Sequence, residues 1–248
     1  MLTSQEQLRY SRQIMLKSVG EHGQRALQQA KVLVVGLGGL GCPVSLYLAA
    51  AGLGELILCD GDDIELTNLQ RQILFTEQDI GQNKAECAQE KLTALNHHCQ
   101  VEVVDEMLDE DLADYHIQRA DIVIDCTDNI RTRFLLNKLC YQHDTALVIG
   151  AATGLDGQTM LIDPKRSSAC YECLFPNTDQ PDGENCQTLG ILGPVLAIIG
   201  GMQAMTAIKY LTGNSATINQ LAMFDGSSQS WQHFQLQKQA KCPACQPG

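Results

Sequence analysis

The sequence predicts a doubly wound α/β fold: a mainly parallel sheet with a C-terminal extension pinned by four cysteines. Three observations carry this. Short apolar runs alternate with helix-length segments over the first 150 residues, a glycine-rich turn follows the first run, and two Cys-x-x-Cys pairs lie far apart in the second half. With 248 residues, 44% of them hydrophobic, the chain can bury a substantial core in a single domain. We read residues 1–150 as a nucleotide-binding half and 151–248 as a smaller half that the cysteines tie down.

Residues 30–36 open the alternation. Val32, Leu33, Val34 and Val35 are continuously apolar, as in a strand buried on both faces. A helix follows over 43–51, with Pro43 suited to its first turn and Gly52 to its end. A strand at 56–59 stops at Asp60. The pattern continues with helices at 84–96, 110–119 and 132–143, and with strands at 101–104, 122–124 and 146–149. Beyond Gly150 the segments shorten, punctuated by Gly154, Gly157, Pro164, Pro176 and Pro181. Residues 178–185 read as a polar, mobile loop, 190–211 as a glycine-interrupted apolar helix, and 220–224 and 231–236 as short strands.

Charge narrows the function. A net charge of −12, with no Lys/Arg-rich block, argues against binding nucleic acid or an anionic membrane. The uncharged stretch at 189–208 holds Pro194, four glycines, Gln203 and Thr206, which favours a buried helix over a membrane span. Residues 1–12 are polar without an apolar core, so no secretory leader and a cytoplasmic location are expected.

Gly36, Gly38, Gly39 and Gly41 form a G-x-G-x-x-G turn between strand and helix. There the backbone must turn tightly, and the helix N-terminus presents free N–H groups to phosphate. Asp60 lies 19 residues after Gly41, where a ribose-binding carboxylate is expected of this Rossmann-like arrangement. The glycines alone would suit NAD or FAD. Arg71 and Lys84, however, add cations that a triphosphate needs more than a dinucleotide pyrophosphate does. Asp128, just past the fourth strand, is a candidate to hold Mg²⁺, and Asp125 a structural acid. Cys170, Cys173, Cys242 and Cys245 suit a closed structural Zn²⁺ site, because four thiolates leave no open position for catalysis. Cys42, Cys59, Cys87, Cys99, Cys126 and Cys140 read as small buried hydrophobes.

Together these residues resemble the ThiF/MoeB adenylyltransferases, relatives of the ubiquitin-activating enzymes, over almost the whole chain. The motifs are Arg9-Tyr10-Ser11-Arg12-Gln13, the glycine turn, Asn68-Leu69-Gln70-Arg71-Gln72, Asp125-Cys126-Thr127-Asp128-Asn129 and the two cysteine knuckles. The resemblance implies ATP bound by Gly39, Asp60, Asn68, Arg71, Gln72, Lys84 and the Asp128-Asn129 pair, with Mg²⁺ at Asp128. It also implies a homodimer, with Arg12 reaching into the partner subunit's site. Expected partners are a small ubiquitin-like sulfur carrier ending in Gly-Gly, of ThiS or MoaD type, and a sulfur donor such as a cysteine desulfurase or rhodanese. Cys186 matches a cysteine that links covalently to the carrier in ThiF-type members. The segments 173–176 and 185–186 and the pair Gly193-Pro194 look more like ThiF than MoeB.

Overall fold

The computed structural model describes residues 2–176, 190–214 and 217–246. Its centre is one eight-stranded sheet in the order β3-β2-β1-β4-β5-β6-β7-β8. Strands β1 (Lys31–Val35), β2 (Glu55–Cys59), β3 (Gln100–Val104), β4 (Ile122–Asp125) and β5 (Ala146–Thr153) run parallel. Strands β6 (Asp156–Ile162), β7 (Gln220–Asp225) and β8 (Ser230–Gln235) continue the sheet antiparallel. The order reverses between β1 and β4, so a crevice must open where their carboxyl ends diverge.

Alternation within the strands explains the layers. Val32, Val34, Leu56, Leu58, Ile122 and Ile124 face one core with helices α4 (Gly41–Ala50) and α5 (Lys84–Leu95). Leu33, Val35, Ile57 and Val123 face a second core with α6 (Glu110–Arg119) and α7 (Ile130–Gln142). The six cysteines read as hydrophobes are all buried.

Strand β5 is longer than the 146–149 expected. Residues 146–149 pair with β4, whereas 150–153 lose that neighbour and pair with β6 alone, through the turn at Gly154 (φ +59°). The small side chains Gly150-Ala151-Ala152 hid this continuation. Strand β6 was not expected from the sequence at all, because its residues sit among glycines and polar side chains.

Three N-terminal helices, α1 (Ser4–Arg9), α2 (Ser11–Ile14) and α3 (Gly20–Gln29), cover the end of α4. Their sequence is polar because their work is polar. The Gln13 and Gln24 amides donate to the Ala51 carbonyl at 2.7 and 2.9 Å, and Asn96 donates to the Tyr10 hydroxyl (2.9 Å) and the Ala49 carbonyl (2.6 Å). The carbonyls left open at the helix end are thereby satisfied. After the short α8 (Tyr171–Leu174), the long α9 (Gly193–Leu211) buries Val195, Leu196, Ile199, Gln203 and Ala207 against α4, β5 and β6. Among the described residues α9 alone is long and apolar enough to cross a membrane, and its buried face belongs to the core. Gly200 lets it approach α4, since an added Cβ would meet Pro43 at 2.6 Å.

Candidate active site

A cavity of about 1050 Å³ occupies the crevice beyond β1 and β4. Its floor is the glycine turn. Gly36 takes φ +88°, and a Cβ on Gly41 would lie 1.9 Å from the Gly36 carbonyl oxygen, so the turn can close only on glycine. A Cβ on Gly39 would sit 2.4 Å from Leu196 Cδ1, which makes this glycine a contact for α9 as well as part of the cavity wall. At Gly38 the nearest atom is Gln72 Nε2, at an ordinary 3.7 Å. The expected outcome is a contrast measured by urea unfolding. Gly39→Ala should cost about 1–3 kcal/mol through overpacking, while Gly38→Ala stays within about 0.5 kcal/mol.

Asp60 ends β2 and accepts from the Leu37 N–H (2.6 Å) and the Asp62 N–H (3.0 Å), which fixes its carboxylate at the cavity edge. Burial raises its pKa, and the Lys84 ammonium and these two donors pull it back. Lys84, the first residue of α5, is buried, with Nζ 2.8 Å from Asp62 and 4.0 Å from Asp60. Asn68 is buried in the 3₁₀ turn Leu66–Asn68, where its Oδ1 accepts from the Glu65 N–H at 3.0 Å. Arg71, half-buried, donates to the Thr67 carbonyl at 2.9 Å. The Gln72 Oε1 is buried without a hydrogen-bond partner among the described residues. Asp128 is exposed on the opposite wall, and Asn129 caps α7 by accepting from the Arg131 and Thr132 N–H groups. The structure therefore brings the glycine turn, Asp60, Asn68, Arg71, Gln72, Lys84, Asp128 and Asn129 around one space.

Arg12 is not brought there: it is exposed on α2 and does not line the cavity. Cys186 and the loop expected at 178–185 lie outside the described residues. Sequence reading missed Arg133. Its Nε donates to Asp125 at 2.7 Å and its Nη2 to the carbonyls of Thr127 (2.8 Å) and Gly150 (3.1 Å), so Asp125 is the structural acid expected. A signal was present: Arg133, Leu136, Asn137 and Cys140 are the buried stripe of α7, at helical spacing. Two other cavity-lining groups carry no nucleophile. Burial raises the Cys59 thiol to about 12 and the Cys126 thiol well above its ordinary value.

The four knuckle cysteines converge in the second core, on the face of the sheet that α6 and α7 cover. Their ligand atoms all lie within 4.8 Å of one another, with Cys170–Cys242 and Cys173–Cys245 at 3.5 Å and Cys170–Cys173 at 3.8 Å. Zinc–sulfur bonds of about 2.3 Å at tetrahedral angles place sulfurs about 3.8 Å apart, so the set fits a tetrahedral ion. All four are buried, as a closed site requires.

A doubly wound sheet whose switch-point crevice holds a glycine turn, an edge acid and inward cations defines a nucleotide-binding α/β protein. More specifically, the chain belongs to the ThiF family, whose pattern matches residues 10–244. It is 43% identical to the sulfur carrier protein ThiS adenylyltransferase of Escherichia coli, over 96% of this chain and 94% of that one. It is 44% identical to the adenylyltransferase and sulfurtransferase MOCS3 of Culex quinquefasciatus, covering 98% of this chain but only 56% of that protein. The chain thus spans about half the length of that relative. The crystal structure of E. coli MccB with AMPCPP and MccA matches with a TM-score of 0.86 at 25% identity, over 98% of this chain and 75% of that one.

Proposed function

We propose that this protein is an ATP-dependent adenylyltransferase that activates the C-terminal glycine carboxylate of the sulfur carrier ThiS for thiamine thiazole synthesis. The observation that carries the reading is the crevice at β1 and β4, where Lys84 and Arg71 face the glycine turn across a space large enough for a nucleotide. Similarity to the ThiS adenylyltransferase along nearly its full length supports the choice of carrier.

In this reading the helix N-terminus at Gly41 and the turn N–H groups receive phosphate, Asp60 the ribose, and Asn68, Gln72, Arg71 and Lys84 the triphosphate. The carrier carboxylate attacks the α-phosphorus in line, pyrophosphate leaves, and an acyl-adenylate remains. Negative charge gathers on phosphoryl oxygens, so fixed cations supply most of the rate and no protein nucleophile is needed. Magnesium, held by Asp128 beside Asn129, would add to that neutralisation. The Cys₄ set would hold zinc as a structural clip, and residues 151–248 would receive the carrier. The exposure of Arg12 supports a homodimer in which each copy lends this arginine to the other's site.

The test is mass spectrometry after incubation with MgATP and either a ThiS-type or a MoaD-type carrier. An AMP-modified ThiS tail is expected. Modification of the MoaD-type carrier alone would move the protein to the molybdopterin branch, which its similarity to MOCS3 also supports. Modification of neither would remove the activity. Cys186→Ala should leave adenylate formation intact and reduce thiocarboxylate formation; both steps running at their wild-type rates would deny Cys186 its role in sulfur transfer.

A further inference from the structure

We infer that the cysteine cluster does more than hold the chain end: through Tyr171 and Arg133 it positions the Thr127–Asn129 loop that carries Asp128, so the assembly of the cluster sets the nucleotide affinity of the cavity. The inference rests on the reading of that cavity as an ATP site.

The path is short and made of buried contacts. Tyr171 lies between Cys170 and Cys173, so it moves when the cluster moves. Its backbone N–H donates to Asn137 Oδ1 at 2.8 Å, and its ring packs between Phe134 and Phe175, with centroids 5.4 and 4.9 Å away. The ring then faces the Arg133 guanidinium, whose Cζ is 5.6 Å from the ring centroid. Arg133 and Asn137 are four residues apart on α7, so one helix face receives both the ring and the backbone of Tyr171.

On its other side Arg133 is committed to the cavity wall. It bonds Asp125 at the end of β4, the Thr127 carbonyl one residue before Asp128, and the Gly150 carbonyl in β5. It is only 7% exposed, so water reaches few of its contacts. A guanidinium offers donors in its plane and an apolar face above it, and the aromatic ring covers the face that no acceptor can satisfy. Removing the ring frees the guanidinium to tilt, and the Thr127 carbonyl tilts with it. Tyr171 and Arg133 are thus positioning residues, acting on the loop and not on the reacting atoms.

The variant to make is Tyr171→Met, which keeps apolar bulk in the core and removes the ring face. Direct ATP binding by calorimetry should weaken by roughly three- to thirty-fold, the range seen when coupling residues are altered, with metal content close to wild type and a melting temperature lowered by about a few degrees from the lost ring packing. Tyr171→Phe retains the ring and loses only the hydroxyl, which also meets Arg133, so it should recover most of the wild-type affinity. Coupling is reciprocal, so saturating ATP should raise the chelator concentration needed to strip zinc-loaded wild-type protein, and Tyr171→Met should abolish that shift. Unchanged ATP affinity in Tyr171→Met, a Phe variant as weak as the Met variant, or a chelator shift that persists in Tyr171→Met would each overturn the proposal. Wild-type protein that binds no ATP would instead overturn the nucleotide reading on which it rests.

Discussion

Replacing Lys84 by alanine should lower carrier-dependent ATP–pyrophosphate exchange by about 10²–10³-fold, the loss typical when one preorganised charge-stabilising donor is removed. The size follows from the charges around the cavity. Among the described residues Asp60, Asp62, Asp63, Glu65, Glu106 and Asp128 line it, together with the cations Arg71, Lys84 and Arg133. Arg133 is spent on Asp125, so Lys84 and Arg71 are the cations this copy's described residues offer to an anion in the cavity. Lys84 is the more buried of the two, and its Nζ also screens Asp60 and Asp62 from the incoming phosphates. Its removal therefore both deletes an attraction and exposes two repulsions in a site of low effective dielectric. Arg71 is half-exposed and its charge is partly screened, so Arg71→Ala should cost less. Lys84→Arg should recover only part of the rate, since a planar fork does not substitute for a compact ammonium in a buried slot. A fall of less than about threefold in Lys84→Ala would exclude this lysine from the reaction.

The parallel half of the fold was legible because its physics is local. Val32 to Val35 is a short, mostly β-branched apolar run stopped by glycines, which reads as a strand buried on both faces, and the turn after it does close on glycine, since a Gly41 Cβ would lie 1.9 Å from a carbonyl oxygen. The expected and observed limits of the helix at Glu110–Arg119 agree, since Asp109 caps it and Ala120 ends it in extended backbone. The antiparallel half was less legible. Strand β6 is identified by partners on both sides, β5 and β7, and no local periodicity records them. Helix around Arg12 was legible, but its division into three short helices was not, because polar side chains such as Gln13 and Gln24 turn inward to cap another helix. At the site, residues that would face a ligand had motifs, whereas Arg133 and Gln203 face backbone carbonyls inside the protein. Gln203 donates to the Asp125 carbonyl at 2.7 Å across 78 residues of sequence, a contact that spacing cannot reveal.

Cys242→Ala should lower the melting temperature by more than about 10 °C, the largest stability effect expected of a single substitution here. Little else holds the C-terminal segment. Regular structure ends at Gln235, and beyond it the buried residues are Leu236, Cys242 and Cys245. Direct polar ties are few. The Gln239 N–H approaches the Cys173 sulfur at 3.4 Å, the Gln239 amide donates to the Cys173 carbonyl, and Lys238 donates to the Tyr141 hydroxyl at 2.8 Å. Two of these end on Cys173 itself and the third on Tyr141, while the Leu236 N–H donates to the Asn219 carbonyl at 2.7 Å where β8 ends. A structural zinc site contributes about 10–16 kcal/mol of apparent binding energy in small peptides, and a larger core retains part of its stability without it. Even a loss of about 4 kcal/mol corresponds to roughly 8–16 °C in a chain of this size. Serine at the same position is no rescue, because a hydroxyl does not ionise to a soft ligand, so Cys242→Ser should melt with the alanine variant. Dialysis of the wild type against a strong chelator should reproduce the shift, and zinc should reverse it for the wild type alone. Chelation that leaves the melting curve unmoved would show that packing of Leu236 against the second core, and not the four sulfurs, secures the end of the chain.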